Sequence, residues 1–396
     1  MNLCDKNIMI SVVIPAYNVA KYLEQAVNSI LKQTILPYEI IIIEDCSNDE
    51  TYSVAMELAK NNPVSIKVYK QEENSGVSAA RNKGIELAQS EWVLFMDADD
   101  IAEPALVEKE CRRVYELQSV WKTPVVLVHS AYRQVTEAGK SLGLLNWKQV
   151  QPEEILGYEL VRNHIISTSG VLVNKDVVLR VGAFNTALKY SEDWDLWLKL
   201  AQVGGFGYVD EPLVCVRRHD GNASGKLANM LDGAKGILKR YDVSFIERAI
   251  HQRKLSWEVN QADFIELLYR LDKWQEGYVF VSTLIDQHPS LASGYFLDSL
   301  YHLYYHSWDK AKQSLLSTIH YNPQHGAALN NLGAVLGIQG EYSQAKEYFR
   351  RASMLFPMYM DANHNSSILG KYSMIPVNEV KFTWRELRPV LLSYTE

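Results

Sequence analysis

The sequence has little cysteine: Cys4, Cys46, Cys111 and Cys215 stand far apart, with no Cys-x-x-Cys pair among them. That spacing disfavours a structural zinc site and fits a reducing compartment, where such thiols pack as small hydrophobes. Long apolar runs are missing as well. No stretch approaches the about 18 consecutive apolar residues of a membrane span, and Met1–Ile14 lacks a basic region followed by a long apolar core. The expectation is a cytoplasmic protein, with peripheral association at the inner face of the membrane left open. Positive charge is not in excess: 40 Lys and Arg stand against 47 Asp and Glu, for a net charge of -7. A general nucleic-acid or anionic-membrane binder is therefore disfavoured, and any polyanionic ligand must be met by a focused site.

What is present is the composition of a soluble globular protein with large cores, 47% hydrophobic and 22% charged over a length suited to two or three domains. The first half alternates strands and helices. Ile10–Ile14 is β-rich and stops at Pro15, and Tyr22 to Gln33 has helical spacing of Leu23, Val27, Ile30 and Leu31. Glu39–Ile43 reads as a second buried strand ending in Glu44-Asp45, with a helix through Met56 and Leu58 after it. Ser65–Tyr69 makes a third strand, Ser78–Ala88 a helix and Glu91–Met96 a fourth strand. Such alternation implies parallel pairing, with ligands gathering at the carboxyl ends of the strands. Pro15–Asn18, Glu44–Ser47, Asn74–Gly76 and Asp97–Asp100 all fall at that edge. Beyond it, strands are expected at Val125–His129 and Gly170–Val173, with a turn at Ala138-Gly139-Lys140.

The last segment of this half is the most informative. The apolar run Trp92–Met96 breaks into Asp97-Ala98-Asp99-Asp100, so carboxylates stand where a strand ends and where a metal could be held. An Asp-x-Asp pattern alone is weak, and a second occurs at Asp193-Trp194-Asp195.

The second half has a different texture. Trp274, Trp308 and Tyr342 share one phase of a 34-residue period, Gly277, Ala311 and Ala345 a second, and Pro289, Pro323 and Pro357 a third. That period is the mark of tetratricopeptide repeats, in which small residues let two helices approach and large ones fill the groove. The best match is 326–359, with Leu332-Gly333, Ala345, Phe349, Ala352 and Pro357; the first repeat has Phe264-Ile265 where Leu-Gly is expected. The domain reading is 1–225 as an α/β domain, 226–257 as a helical linker, 258–359 as three repeats, and 360–396 as a capping helix and tail.

Five boxes in the first half then carry a resemblance: Ser11–Asn18, Ile43–Thr51, Asn74–Asn82, Asp97–Asp100 and Ser191–Trp194. In this order they resemble a family 2 glycosyltransferase of the GT-A fold, over a little more than half the chain. The resemblance implies an inverting, metal-dependent transferase that moves a sugar from a UDP-sugar donor to an acceptor hydroxyl. It places Pro15, Ala16 and Tyr17 along the nucleobase pocket, although a tight turn with a surface tyrosine accounts for them too. It gives Asp45 a uracil N–H to accept; a dinucleotide-binding domain would use an acid here for ribose hydroxyls, but no Gly-x-Gly-x-x-Gly follows the first strand. Asn74 belongs to a glycine turn beside the nucleotide. Arg81, on the helix that follows, is suited to bracing a diphosphate or to a surface ion pair.

In the acidic box, Asp99 is the metal ligand by this resemblance, Asp97 and its neighbour Ala98 face the ribose or a metal-bound water, and Asp100 supports the box. Mg²⁺ or Mn²⁺ is implied, because no soft ligands converge here. Ser191–Trp197 begins a helix with Ser191 as a candidate cap. The family places its base there, so Asp193 is the general base and Glu192 positions acceptor or sugar, with Asp195 the weaker candidate. Ser167–Gly170 resembles the loop along the donor sugar, or is an ordinary turn. Arg217-Arg218-His219 resembles the family's terminal Arg-x-His segment: His219 would ligate the metal or bind diphosphate, and Arg217 and Arg218 would cover the phosphates from a loop running through Asp220-Gly221-Asn222.

The acceptor stays open between a glycan, a lipid-linked glycan and a peptide or protein, with the repeats binding acceptor or partner, or mediating self-association. Tyr295, Tyr301, Tyr304 and Tyr305 are candidates to line a groove there. The reading of another class is a repeat scaffold with an inactive nucleotide-binding domain.

Overall fold

The computed structural model describes residues 8–60, 62, 64–219, 227–357, 359–369, 371–372 and 375–387. Cys4 and the expected loop Asp220-Gly221-Asn222 lie outside the described residues. The chain divides into two compact units, 1–253 and 254–396.

In the first unit, the apolar runs at the start of the sequence become strands buried on both faces, except at the sheet edge, where Ser65–Lys70 is partly exposed. β1 (Ile10–Ala16), β2 (Glu39–Glu44), β3 (Ser65–Lys70) and β4 (Trp92–Phe95) alternate with α1 (Ala20–Leu31), α2 (Thr51–Leu58) and α3 (Val77–Leu87). β1 pairs in parallel with β2 and β4, and β2 with β3, as the alternation predicts. Val12, Ile14, Ile40 and Ile42 point to the face covered by Leu23, Val27 and Ile30 of α1 and Ala55 of α2. The intervening Val13 meets α3 on the opposite face, close enough that a Cβ at Gly84 would lie 2.3 Å from Val13 Cγ1. Period-2 alternation thus explains why strands with no polar face still have two distinct sides.

After β4 the sheet becomes mixed. β5 (Ile101–Ala102), α4 (Leu106–Val120), β6 (Val125–Thr136), β7 (Ser141–Leu145), α5 (Pro152–Val161), β8 (Val171–Asn174), α6 (Lys175–Arg180), α7 (Glu192–Ala201) and β9 (Gly205–Arg218) follow. Among the described residues the sheet has nine strands in the order β3-β2-β1-β4-β8-β6-β9-β5, with β7 beside β6. β8 runs antiparallel to β4 and β6. The order reverses between β1 and β4, the place where open α/β sheets form a crevice beyond their strand ends.

Two long strands depart from the sequence reading. β6 continues seven residues past His129, and β9 was not predicted as a strand, because Gly205, Gly207, Asp210, Glu211 and Pro212 break its pattern. The interruption is a register shift: Val209 lies opposite Ser130 and Pro212 opposite Ala131, so Asp210 and Glu211 bulge out. This re-aims the second half of β9 and brings Arg217 and Arg218 to the crevice edge.

The stretch read as a linker forms α8 (Leu227–Leu238) and α9 (Val243–His251), which fall within the first unit. The second unit holds three successive helix pairs: α10 (Trp257–Arg270) with α11 (Trp274–Gln287), α12 (Ala292–Tyr304) with α13 (Trp308–Tyr321), and α14 (Gly326–Ile338) with α15 (Tyr342–Leu355). The second helix of each pair begins at one of the aromatics spaced by 34 residues. Ala345, Phe349 and Ala352 are the buried residues of α15, and a Cβ at Gly333 would lie 2.7 Å from Phe349. α16 (Met360–Ile368) follows, then an extended segment that reaches Leu387 and contains a short 3-10 turn, Val377–Glu379.

Candidate active site

The carboxyl ends of β1, β2 and β4 lie side by side, and their side chains define one edge of the crevice. Ala16 is buried and its carbonyl accepts the Asp45 N–H at 2.9 Å, tying the two strand ends together. Tyr17 is exposed beside them. Asn18 takes a left-handed conformation (φ 52°), and its Oδ1 accepts the Asn48 N–H at 2.8 Å. Asp45, expected to face a uracil N–H, is only 3% exposed, and its oxygens accept three hydrogen bonds from the chain itself. Oδ1 accepts the Ser75 N–H at 2.8 Å and a Gln71 amide at 2.5 Å, and Oδ2 accepts the Gly76 N–H at 2.8 Å. Asp45 therefore shapes the turn in which Gly76 has φ 85° and leaves Asn74 exposed.

Arg81 also differs from expectation. Instead of facing an open diphosphate site, the residue is 4% exposed and its guanidinium spans two carboxylates. Nη2 donates to Asp97 Oδ1 at 2.7 Å and to Thr168 Oγ1 at 2.6 Å, and Nη1 donates to Glu192 Oε1 at 3.1 Å. Phe184 lies against the guanidinium, 5.4 Å from its centre. Residues from α3, the end of β4, the loop before β8 and the start of α7 thus meet at one cation. A planar fork with several donors is the side chain able to hold two carboxylates in fixed positions.

The remaining acids of the box part ways. Asp100 is buried, accepts the Ser169 hydroxyl at 2.5 Å and the Arg217 N–H at 2.8 Å, and so fastens β9 to the box. Asp99 Oδ2 lies 2.9 Å from His219 Nε2, and the imidazole stacks on Tyr22 with ring centroids 5.1 Å apart. Arg217 was expected over the phosphates; its guanidinium instead donates to the carbonyls of Asp99 and Glu137 and to Gln25 Oε1. Arg218 is half-buried next to this pair. Burial and the charge of Asp97 raise the Asp99 carboxyl above its usual range, and burial with the charges of Asp99 and Asp97 raises Asp100 well above it.

α7 presents the other side of the site. Trp194 Nε1 donates to the Glu159 carbonyl at 2.8 Å and Trp197 Nε1 to the Ile165 carbonyl at 3.2 Å, which fixes the helix and lets its first turn project. Ser191 occupies the cap position but with φ 61° and no capping hydrogen bond from its side chain, unlike the expected cap. Asp193 is half-buried; Oδ1 accepts the Trp194 N–H at 2.6 Å and Oδ2 accepts the Asn163 amide at 3.3 Å. Burial, then the neighbouring charge of Glu192, pushes its carboxyl up to about 7. Asp195 turns away into the core, where it pairs with Lys199 at 2.9 Å and with Arg240. Two carboxylates adjacent in sequence therefore do different things: Glu192 is clamped by Arg81, and Asp193 titrates near neutrality.

The residues suited to a divalent cation are Asp99 and His219. Among the described residues no group of three or more His, Cys, Asp and Glu is arranged to hold a metal. One carboxylate oxygen and one imidazole nitrogen still fit a cation that completes its shell with phosphate oxygens and water, as Mg²⁺ does in nucleotide sites. Its charge would offset the burial and the carboxylate repulsion that raise Asp99 and Asp100. Residues that the sequence reading did not single out, Tyr22, Glu137, Asn163 and Glu159, enter through contacts across the fold. None of them left a local signal in the sequence; Asn163, for one, stands between Arg162 and His164.

The model of the family described as "Glycosyl transferase family 2" matches residues 11–128. An uncharacterized glycosyltransferase of Rickettsia typhi is 26% identical over 253 residues, 62% of this chain and 77% of that protein. A putative teichuronic acid biosynthesis glycosyltransferase of Bacillus subtilis, TuaG, is 30% identical over 201 residues, 50% of this chain and 75% of that protein. Among solved structures, S. aureus TarS 1-349 in complex with UDP-GlcNAc aligns with a TM-score of 0.49 at 18% identity, covering 89% of this chain and 91% of that one.

Proposed function

The chain belongs to glycosyl transferase family 2 and is a glycosyltransferase, and from that premise we propose that it moves a sugar from a uridine diphosphate donor to an acceptor hydroxyl with inversion. The first unit is read as a GT-A domain, and the alternative of a scaffold with an inactive nucleotide-binding domain is not favoured. The observation that carries the mechanism is the convergence of Arg81, Asp97, Thr168 and Glu192 in one hydrogen-bonded cluster, with Asp193 at its edge.

In this reading Asp193 is the general base. It takes the proton of the acceptor hydroxyl as that oxygen bonds to the anomeric carbon, while the bond to the diphosphate breaks on the opposite face and UDP leaves with the electron pair. A carboxyl held near pH 7 is matched to that task. Asn163 orients the carboxylate through Oδ2. Arg81 acts as a positioning residue that keeps Glu192 and Asp97 in place, with Glu192 directed to acceptor or sugar and Asp97 to the ribose. Pro15, Ala16, Tyr17 and Asn74 line the nucleoside side, with Asp45 shaping it through the turn it holds, and Ala98 and Arg218 face the diphosphate. Mn²⁺ or Mg²⁺ held by Asp99 and His219 would offset the charge that grows on the leaving group.

The second unit is read as tetratricopeptide repeats that bind a partner or an acceptor, which is a glycan, a lipid-linked glycan or a peptide. No helix among the described residues is long and apolar enough to cross a membrane. Titration calorimetry with UDP tests the donor side. With Mn²⁺ present, Asp99→Asn should weaken UDP binding at least ten-fold, and chelation should abolish the difference between the two proteins. UDP affinity indifferent to both chelator and substitution would remove the metal from the donor site.

A further inference from the structure

Behind Asp193 lies a second buried carboxyl, with no part in the transfer itself. Glu159, in the last turn of α5, is fully buried, and its main-chain carbonyl accepts the Trp194 indole N–H that fixes α7. A lone carboxyl is a costly way to fill a core. Its two oxygens face one residue: Oε2 accepts the His164 N–H at 3.4 Å, and Oε1 lies 3.5 Å from His164 Nδ1. Arg162 Nε donates to His164 Nε2 at 3.1 Å. Arginine has donors only, so the imidazole is neutral and carries its proton on Nδ1, the nitrogen turned toward Glu159. Trp147 lies against the same ring, with centroids 3.8 Å apart.

Between Arg162 and His164 stands Asn163, the residue that touches Asp193. Its Oδ1 accepts the Ile165 N–H at 3.1 Å, which fixes the amide plane and leaves Nδ2 to donate to Asp193 Oδ2 at 3.3 Å. The turn 162–165 is thus joined across its neck by Arg162 and His164. It is tied to α7 by Trp197, which donates to the Ile165 carbonyl, and to α5 by His164 and Glu159.

We propose that Glu159 is a positioning residue for the Asp193 carboxylate: through His164 it sets the turn that aims Asn163 at Asp193. Its bearing on sugar transfer rests on the reading of Asp193 as the base. The groups that face Asp193 are Glu192 beside it, Arg81 from α3, and Asn163 and Glu159 from the α5 side. Arg162 also faces Glu159, while the other cations near α5, Lys148 and Arg253, lie over the Tyr158 ring. Burial and Glu192 push the Asp193 carboxyl up, whereas the Trp194 N–H, Arg81 and Asn163 draw it down. Loss of the Asn163 bond therefore raises it further. Charge on Glu159 does not oppose this below about pH 8, because burial keeps its proton on until then.

Carboxyl NMR on the full-length protein with isotope-labelled aspartate reads Asp193 directly, its signal being the one lost in Asp193→Asn. Glu159→Gln leaves one oxygen for two N–H groups and sets an amide against the other. The Asp193 midpoint should therefore rise by about one pH unit. His164→Ala cuts the same link from the turn and should raise it likewise, so it decides the matter if the glutamine variant does not fold. Adding Glu159→Gln to Asn163→Ala should move the midpoint no further than Asn163→Ala alone. A midpoint unmoved by either of the first two changes, or full additivity in the double variant, would overturn the proposal. The rate separates this from the base assignment. With Asp193 as base, Glu159→Gln should slow UDP release about ten-fold at about pH 6, recover toward the native rate at about pH 9 and leave UDP affinity unchanged. A midpoint that moves while the rate profile stays native would remove Asp193 as base and leave Glu159 as its positioning residue.

Discussion

Three carboxylates that look interchangeable in Asp97–Asp100 have separate partners: Arg81 for Asp97, His219 for Asp99, and Ser169 with the Arg217 N–H for Asp100. The sequence marks the cluster, but not this division, because each partner arrives from a distant part of the chain. The same is true of Arg81, whose residue type suggested a phosphate and whose neighbours are carboxylates. Removing the cation while leaving Asp97 and Glu192 in place should be costly: Arg81→Met is expected to lose about 3–5 kcal/mol of stability in denaturant titration. A loss below about 1 kcal/mol would mean that the cluster is not holding the site together. Asp193 gives a pH signature in two directions. As a base it must be ionised, so the transfer rate at saturating substrate should rise with pH through about 7 and level off above it. Stability runs the other way. The folded carboxyl keeps its proton far above the ordinary value of 3.8, so its favourable contribution is full below about pH 4 and is lost as pH rises through about 7. Asp193→Asn should flatten that part of the stability profile.

Elements with an uninterrupted pattern were legible; those with a broken one were not. β1 to β4 and the helices between them follow from apolar runs and turn residues, with boundaries shifted by one or two positions. β9 escaped because its bulge at Asp210 and Glu211, followed by Pro212, puts a polar, exposed break between two short apolar runs that read separately in sequence. Ser191 is a milder case: the residue type is right for a cap, but its backbone is left-handed and its hydroxyl makes no capping hydrogen bond. The approach of α3 to β1 gives an element-scale test. Gly84→Ala places a methyl group against Val13 and should cost about 1–3 kcal/mol. The double change with Val13→Ala should cost less than the sum of the two single changes, since each makes room for the other. Strict additivity in thermal melts would show that the two residues are not in contact in solution.

At the scale of the whole molecule, the 34-residue period was visible in sequence and reappears as three helix pairs, each second helix starting at the predicted aromatic. The extended segment 375–387 along α14 was not legible, since it lacks the period of a helix and its partners are Asn330 and Asn331 of α14 and Asn365 of α16. The reading of the first unit as a transferase depends less on any one box than on their convergence, because Arg81, Asp97, Thr168, Glu192 and Asp193 meet only in the folded crevice. The central claim is that Asp193 is the base while the donor is bound by other residues. UDP release from UDP-sugars, measured beside UDP binding on the full-length protein, tests it most directly. Asp193→Asn should bind UDP with native affinity and release it about 10²- to 10⁴-fold more slowly in the presence of acceptor; turnover at the native rate would contradict the assignment.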